Sequence, residues 1–75
     1  MMTLKDIPVG KSAKIKKVGG QGSTKRRIME MGVTRGTTVL VRKKAPLGDP
    51  IQLSLRGFEL TIRKSDAENI LVDSL

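Results

Sequence analysis

The chain has 75 residues and a formal net charge of +8, from 15 lysines and arginines against 7 aspartates and glutamates, and it contains no histidine and no cysteine. A chain of this length is expected to form a single domain, residues 1–75, with a small core and no disulfides or thiolate-bound zinc to support it. The missing imidazole and thiol groups also exclude the commonest general base and nucleophile of enzymes.

The beginning of the chain predicts no secretory signal. Residues 1–6 lack the apolar segment of such a signal, and no apolar run approaches the roughly 20 residues of a membrane span. We therefore expect a cytoplasmic protein without membrane insertion. Residues 12–18 then alternate apolar with basic side chains, which predicts a half-buried strand. The alternation slips at Lys16 and Lys17, where a β-bulge or the strand end is expected.

A short helix is predicted next, among segments that otherwise indicate strands. Ser23 or Thr24 is expected to cap its first turn, because their hydroxyls accept hydrogen bonds from free amide groups. Ile28 and Met31 are three residues apart, so they share one helix face and are predicted to belong to the core. Gly32 follows the last apolar position and is expected to end the helix.

Four further runs predict strands in the rest of the chain. They occupy residues 37–41, 51–55, 58–62 and 70–72. Val39 and Val41 are expected to face the core, and Arg42, Lys43 and Lys44 to extend into solvent. Arg56 and Gly57 form a hairpin signal, and the alternation after them places Phe58, Leu60 and Ile62 inward.

Two connections complete the predicted architecture. Residues 45–50 contain two prolines and a glycine, which is typical of a turn. Ser65 and Glu68 have the spacing of a capping box, which predicts one helical turn before the last strand. The chain is therefore predicted to be mainly β: a small closed five-stranded barrel with one short helix inserted after the first main strand and a terminal helical turn.

Chemistry-bearing motifs are scarce in this sequence. The glycine-rich turn before the helix resembles a phosphate-binding loop, but Ser23 and Thr24 precede Lys25 instead of following it. The acidic residues show no paired-carboxylate pattern. Met29 and Met31 are two residues apart, so they point to different sides of the helix. We predict no catalytic activity, no cofactor and no intrinsic metal site.

Three segments of the chain together resemble the ferrous iron transport protein A (FeoA) family. They are residues 26–36, 45–51 and 57–72. The first resembles the family's arginine-containing helix with its following glycines, the second its proline–glycine–aspartate–proline turn, and the third its closing segment. Ile28 and Met31 replace the more usual leucines, and Arg35 stands where the family often has proline.

The resemblance implies a fold and a partner. The implied fold is an SH3-like β-barrel with a helix inserted between its first two main strands. The implied role is that of a cytoplasmic accessory protein in bacterial ferrous iron uptake, acting on the FeoB membrane permease, which carries a GTP-binding domain. The resemblance also implies transition-metal binding at the level of the family.

Two basic clusters are the candidate partner-binding residues. The helix cluster is Lys25, Arg26, Arg27 and Met29, and the loop cluster is Arg42, Lys43, Lys44, Pro46 and Leu47. Such charges speed the encounter with an acidic partner more than they add affinity. The competing interpretation is that each cluster is an ordinary solvated face.

Two other functions compete with protein binding. The net charge favours non-specific nucleic-acid binding, but Phe58 is the only aromatic residue, so bases have no stacking platform and we predict no stable complex. Direct iron carriage would have to rely on oxygen donors and thioethers alone. The sequence leaves open whether the chain forms homo-oligomers.

Overall fold

The computed structural model describes residues 2–74, which form five strands, two α-helices and a 3₁₀ turn. The strands are β1 (Ser12–Val18), β2 (Thr38–Lys44), β3 (Ile51–Leu55), β4 (Phe58–Ile62) and β5 (Ile70–Ser74). The helices are α1 (Gly22–Glu30) and α2 (Lys64–Ala67), and the 3₁₀ turn is Leu4–Asp6. This confirms the predicted mainly-β architecture with one helix inserted after β1.

All strand pairs are antiparallel and make one sheet in the order β4–β3–β2–β1–β5. The sheet curls around its core like a small barrel. Within residues 2–74, however, β4 and β5 end the sheet and do not pair with each other. The predicted complete closure is therefore not formed, because α2 instead of a strand ladder connects the two ends.

The core follows the alternation of the strands. In β3 every second residue is buried, and Val39 and Val41 of β2 are fully buried as predicted. Leu60 and Ile62 also face the core. Phe58 does not, since 44% of it is exposed. The prediction for Phe58 was wrong because this residue borders the hairpin turn, where the neighbouring Gly32 has no side chain to cover the ring.

Two register shifts bend the sheet. The predicted irregularity in β1 is confirmed, since the pairing with β5 shifts between Ile15 and Lys17. A second shift, which the sequence did not predict, lies in β2 between Val41 and Lys43. Beyond it β2 continues to Lys44, further than predicted, because its last residues still pair with β3.

Helix α1 begins earlier than predicted. Gln21 is its N-cap and makes no side-chain capping bond, while Ser23 and Thr24 already lie within the first turn. The predicted caps were wrong because a cap residue lies just before the helix with a non-helical backbone; Gln21 has this extended backbone, whereas Ser23 and Thr24 belong to the helix itself. Ile28 is buried as predicted, and Met31 is half-buried against the core.

The end of α1 agrees with the prediction. The amide of Met31 donates to the carbonyls of Arg27 and Ile28, and the amide of Gly32 donates to Met29. Gly32 has a φ of +98°, a left-handed conformation that glycine adopts without steric cost. Gly32 therefore stops the helix and turns the chain towards β2.

The cap of α2 also differs from the prediction. The N-cap is Arg63, whose amide donates to Oδ2 of Asp66 at 3.2 Å, and the amide of Lys64 donates to Oδ1 of Asp49 at 3.0 Å. The predicted pair of Ser65 and Glu68 is therefore not the cap. The carboxylate of Asp66 fills the role predicted for Glu68, so the helix starts two residues earlier than predicted. Asp49 of the β2–β3 loop adds a second acceptor, which local spacing could not indicate.

The segment before β1 is ordered by Asp6. Its Oδ2 accepts hydrogen bonds from the amide of Thr3 at 3.0 Å and from the hydroxyl of Thr3 at 3.2 Å. The backbone bond from Thr3 is the main reason why the pKa of Asp6 lies below its usual value.

No helix in the described part of the chain is long and apolar enough to cross a membrane.

The lowered pKa of Asp6 predicts a pH-dependent contribution to stability. The ionised carboxylate stabilises the folded state at every pH above the unfolded pKa of about 4, and this contribution disappears as the pH falls through the lower folded pKa. An Asp6→Asn variant has no titrating group at this position. Urea unfolding at pH 7 should therefore show wild type as the more stable protein, and the difference should shrink as the pH falls from about 4 towards about 2. A difference that stayed constant across this range would contradict the role of the charge.

Candidate partner-binding surface

The helix cluster divides over two sides of α1. Lys25 and Met29 are four residues apart, and Arg26 and Met29 three apart, so these side chains are neighbours on the helix surface. They line one shallow, largely apolar depression. Met29 is 41% exposed. The apolar side chain of Met29 thus lies accessible between two cations, an arrangement suited to contact with a protein surface.

Arg27 lies on the other side, in a groove between α1 and α2. Arg26 and Arg27 line this groove together with Arg63, the N-cap of α2. The two acids in the groove are Glu30 and Asp66. Sequence reasoning did not select Arg63, because only the folding of α2 against the start of α1 brings this residue to the helix cluster.

The arginines of this groove are free to pair with an external anion. The ion pairs recorded in residues 2–74 join Lys5 to Glu68 at 3.9 Å and Lys16 to Asp73 at 4.0 Å. None involves an arginine. Guanidinium groups bind carboxylates or phosphates through two parallel hydrogen bonds. The groove therefore has the chemistry of a receptor for acidic groups.

The loop cluster is partly structural. Arg42 and Lys43 are exposed as predicted, whereas Lys44 is half-buried and its Nζ donates to the carbonyl oxygen of Lys5 at 3.1 Å. Lys44 therefore joins the end of β2 to the 3₁₀ turn instead of extending into solvent. Pro46 is exposed, and Leu47 is 90% exposed.

The loop that carries Leu47 is held in place by several hydrogen bonds. The amide of Gly48 donates to the carbonyl of Ala45 at 2.7 Å, and the amide of Ala45 donates to the carbonyl of Pro50 at 3.1 Å. Asp49 ties the loop to α2. A leucine presented this way loses little conformational entropy on binding, which favours its use as an anchor.

The two clusters lie on separate parts of the surface. Residues of the helix cluster line one depression that also contains Thr34 and another that also contains residues of α2. Arg42 and Lys43 line a different depression, together with Gln52 of β3 and Glu59 of β4. No group of three or more His, Cys, Asp or Glu side chains that could hold a metal ion occurs in residues 2–74.

Comparison with known proteins identifies the family to which the chain is similar. The family model that matches is the FeoA domain, over residues 2–74. Over 72 residues the chain is 36% identical to the Fe(2+) transport protein A/Fe(2+) transporter FeoB fusion protein of Porphyromonas gingivalis. This match covers 96% of the chain but only 8% of that fusion protein.

Solved structures show the same architecture. The FeoA protein from Chlorobium tepidum matches with a TM-score of 0.92 and 38% identity, covering 99% of this chain and 70% of that one. The FeoA of Stenotrophomonas maltophilia, solved in complex with zinc, matches with a TM-score of 0.83 and 28% identity, covering 97% and 91%. That protein is described as a prokaryotic SH3 domain protein, which agrees with the barrel predicted here.

Proposed function

The chain belongs to the FeoA family, and from this premise we propose that it is a cytoplasmic accessory protein of ferrous iron transport that binds the FeoB permease. The observation that carries the proposal is the Porphyromonas gingivalis relative, a fusion protein of Fe(2+) transport protein A and the Fe(2+) transporter FeoB. Fusion keeps two modules at a high effective concentration. Where they are separate chains, a docking surface must replace the covalent link.

The loop cluster suits this docking. A net charge of +8 attracts acidic surfaces and accelerates encounter, and Arg42 and Lys43 concentrate part of it beside the exposed loop. Leu47 then supplies apolar area that becomes buried in the complex, because 90% of it is exposed in this structure. Interfaces commonly combine one such buried anchor with a charged rim.

Capture of the permease's purified cytoplasmic GTP-binding domain tests the proposal. The variants are Leu47→Ala and the double reversal Arg42→Glu with Lys43→Glu, while Lys44 stays unchanged because it donates to Lys5. We expect Leu47→Ala to weaken binding about tenfold through faster dissociation. The double reversal should slow association and remove most of its salt dependence.

A matched control reverses Lys14 and Lys17, two exposed lysines of β1. It changes the net charge by the same amount and should bind like wild type at moderate salt. Equal binding of the loop variants and wild type would remove the loop cluster as the contact. Absence of any capture of the domain by wild-type protein would contradict the proposed function itself.

Nucleic-acid binding is the alternative that the net charge favours. Binding through phosphates alone is non-specific and weakens steeply with salt, so we expect duplex and single-stranded oligonucleotides to bind only at about 50 mM salt and to be released by about 200 mM. Fluorescence anisotropy across this range checks the prediction. Tight, sequence-dependent binding at the higher salt would favour nucleic acid over the permease.

A further inference from the structure

The two edges of the sheet differ in one respect. The outer edge of β5 is covered by the start of the chain, since the amide of Val72 donates to the carbonyl of Met2 at 3.0 Å and Thr3 bridges to Leu71. The outer edge of β4 makes no backbone hydrogen bond within residues 2–74. The sheet therefore has one open edge.

The register identifies the groups that the open edge presents. Leu55 and Phe58 flank the two-residue hairpin turn and form a hydrogen-bonded pair, and hydrogen-bonded pairs alternate with non-bonded pairs along an antiparallel ladder. Glu59 and Thr61 therefore direct their amide and carbonyl groups away from β3. Both residues are exposed. Unpaired strand edges of this kind accept an added strand.

The two ends of the open edge of β4 have different neighbours. At one end, a Cβ built on Gly32 would lie 3.9 Å from Cζ of Phe58, which begins β4. At the other end, Arg63, which follows β4, lines the groove with Arg26 and Arg27. The open edge has an exposed aromatic ring at its start and, at its end, three arginines that make no ion pair within residues 2–74.

We propose that the open edge of β4 binds an extended acidic segment of a partner protein, which pairs with Glu59 and Thr61 and places its carboxylates on Arg27 and Arg63. Backbone pairing supplies affinity, and the arginines select for acidic side chains. A second copy of this chain would bring the same arginines and its own charge of +8 to the contact, so like charges oppose that occupant. The identity of the partner rests on the proposed function. The existence of the site does not depend on that function.

A peptide pair tests the site. The probe is a blocked nine-residue peptide that alternates glutamate with valine, and its control carries N-methyl groups on the amides that would face β4. The two peptides have the same charge, but only the first can add to the sheet. In an NMR titration, the unmodified peptide should shift the amide signals of Glu59 and Thr61. The methylated peptide should bind at least about tenfold more weakly. Equal affinity of both peptides would overturn the proposal.

Two protein variants sharpen the test. Thr61→Pro removes the outward amide and leaves the β3–β4 ladder intact, because proline is tolerated where the N–H faces away from the sheet. Arg27→Glu with Arg63→Glu reverses the selecting charges. Each variant should weaken the unmodified peptide about tenfold, whereas the Lys14 and Lys17 reversal should leave it within about twofold. Peptide shifts confined to the loop cluster would contradict the edge site.

Capture of the permease's cytoplasmic domain by the same variants distinguishes the edge site from the proposed function. Capture that Thr61→Pro and Arg27→Glu with Arg63→Glu both weaken supports the edge as a permease contact. Capture that neither variant affects leaves the proposed function standing and overturns the edge as its contact. If the domain is not captured at all, the proposed function fails, while the peptide pair still decides the site. Sedimentation that showed dimers in wild type and none in Thr61→Pro would overturn the acidic segment in favour of a second copy.

Discussion

Replacing Leu53 by alanine is expected to destabilise the protein by about 3 kcal/mol. Leu53 is fully buried in the centre of the sheet, where it lies between Val41 of β2 and Leu60 of β4. The substitution removes buried apolar groups and leaves a cavity that this antiparallel ladder cannot close. A domain of this size has a total stability of about 5 kcal/mol, so most of it would be lost. Thermal unfolding should show a midpoint about 15 °C lower.

The same chemical change at Leu47 is the matched control. Leu47 is 90% exposed, so truncating it to alanine removes almost no buried surface and should alter the free energy of unfolding by less than about 0.5 kcal/mol. The two variants are therefore expected to change different quantities: Leu53→Ala lowers the free energy of unfolding, and Leu47→Ala weakens partner binding. Comparable destabilisation by both would show that the burial pattern of β2, β3 and β4 is not the one described.

The strands were predictable because their side chains repeat with a period of two. In β3, Ile51, Leu53 and Leu55 are all buried, as the alternation required. The slip at Lys16 and Lys17 also marked the register shift of β1 correctly. These signals are local, since each depends only on which residues face inward along one strand. The glycine that ends α1 is local in the same sense.

Features that depend on distant segments were not predictable. The first turn of α2 has a second acceptor in Asp49, which the β2–β3 loop brings from another part of the chain. Lys44 was predicted to be solvated, but its partner is a carbonyl group in the 3₁₀ turn. Phe58 fits the alternation yet stays exposed, because no side chain covers it beside Gly32.

The candidate site also contains both features that local sequence could predict and features that it could not. The basic residues of the helix and loop clusters could be selected from the sequence, since charge and position on an element are local properties. Arg63 could not, because its place beside Arg26 and Arg27 depends on how α2 folds against α1. The open edge of β4 also needed the strand order, which no single segment of the sequence contains.

Replacing Gly19 by alanine is the second substitution with a large expected effect. The amide of Gly19 donates to the carbonyl of Asn69 at 2.6 Å, which joins the end of β1 to the turn before β5. A Cβ at position 19 would lie 2.8 Å from that same oxygen. Because the obstacle is a backbone atom, it cannot rotate away. We expect a loss of about 2 kcal/mol in urea unfolding and faster hydrogen exchange at residue 19.

The control for Gly19→Ala is Gly22→Ala. Gly22 has a φ of +76°, and a Cβ there would meet nothing within 4 Å, so only the backbone conformation is penalised, by about 1 kcal/mol.

The variants also differ in their expected effect on binding. Asn69 follows α2, and Arg63 precedes it, so we expect displacement of the Asn69 carbonyl to move α2 and change the position of Arg63 relative to Arg27. Gly19→Ala should therefore weaken binding of the glutamate–valine peptide more than Gly22→Ala does. The reverse order would show that this contact does not position the groove.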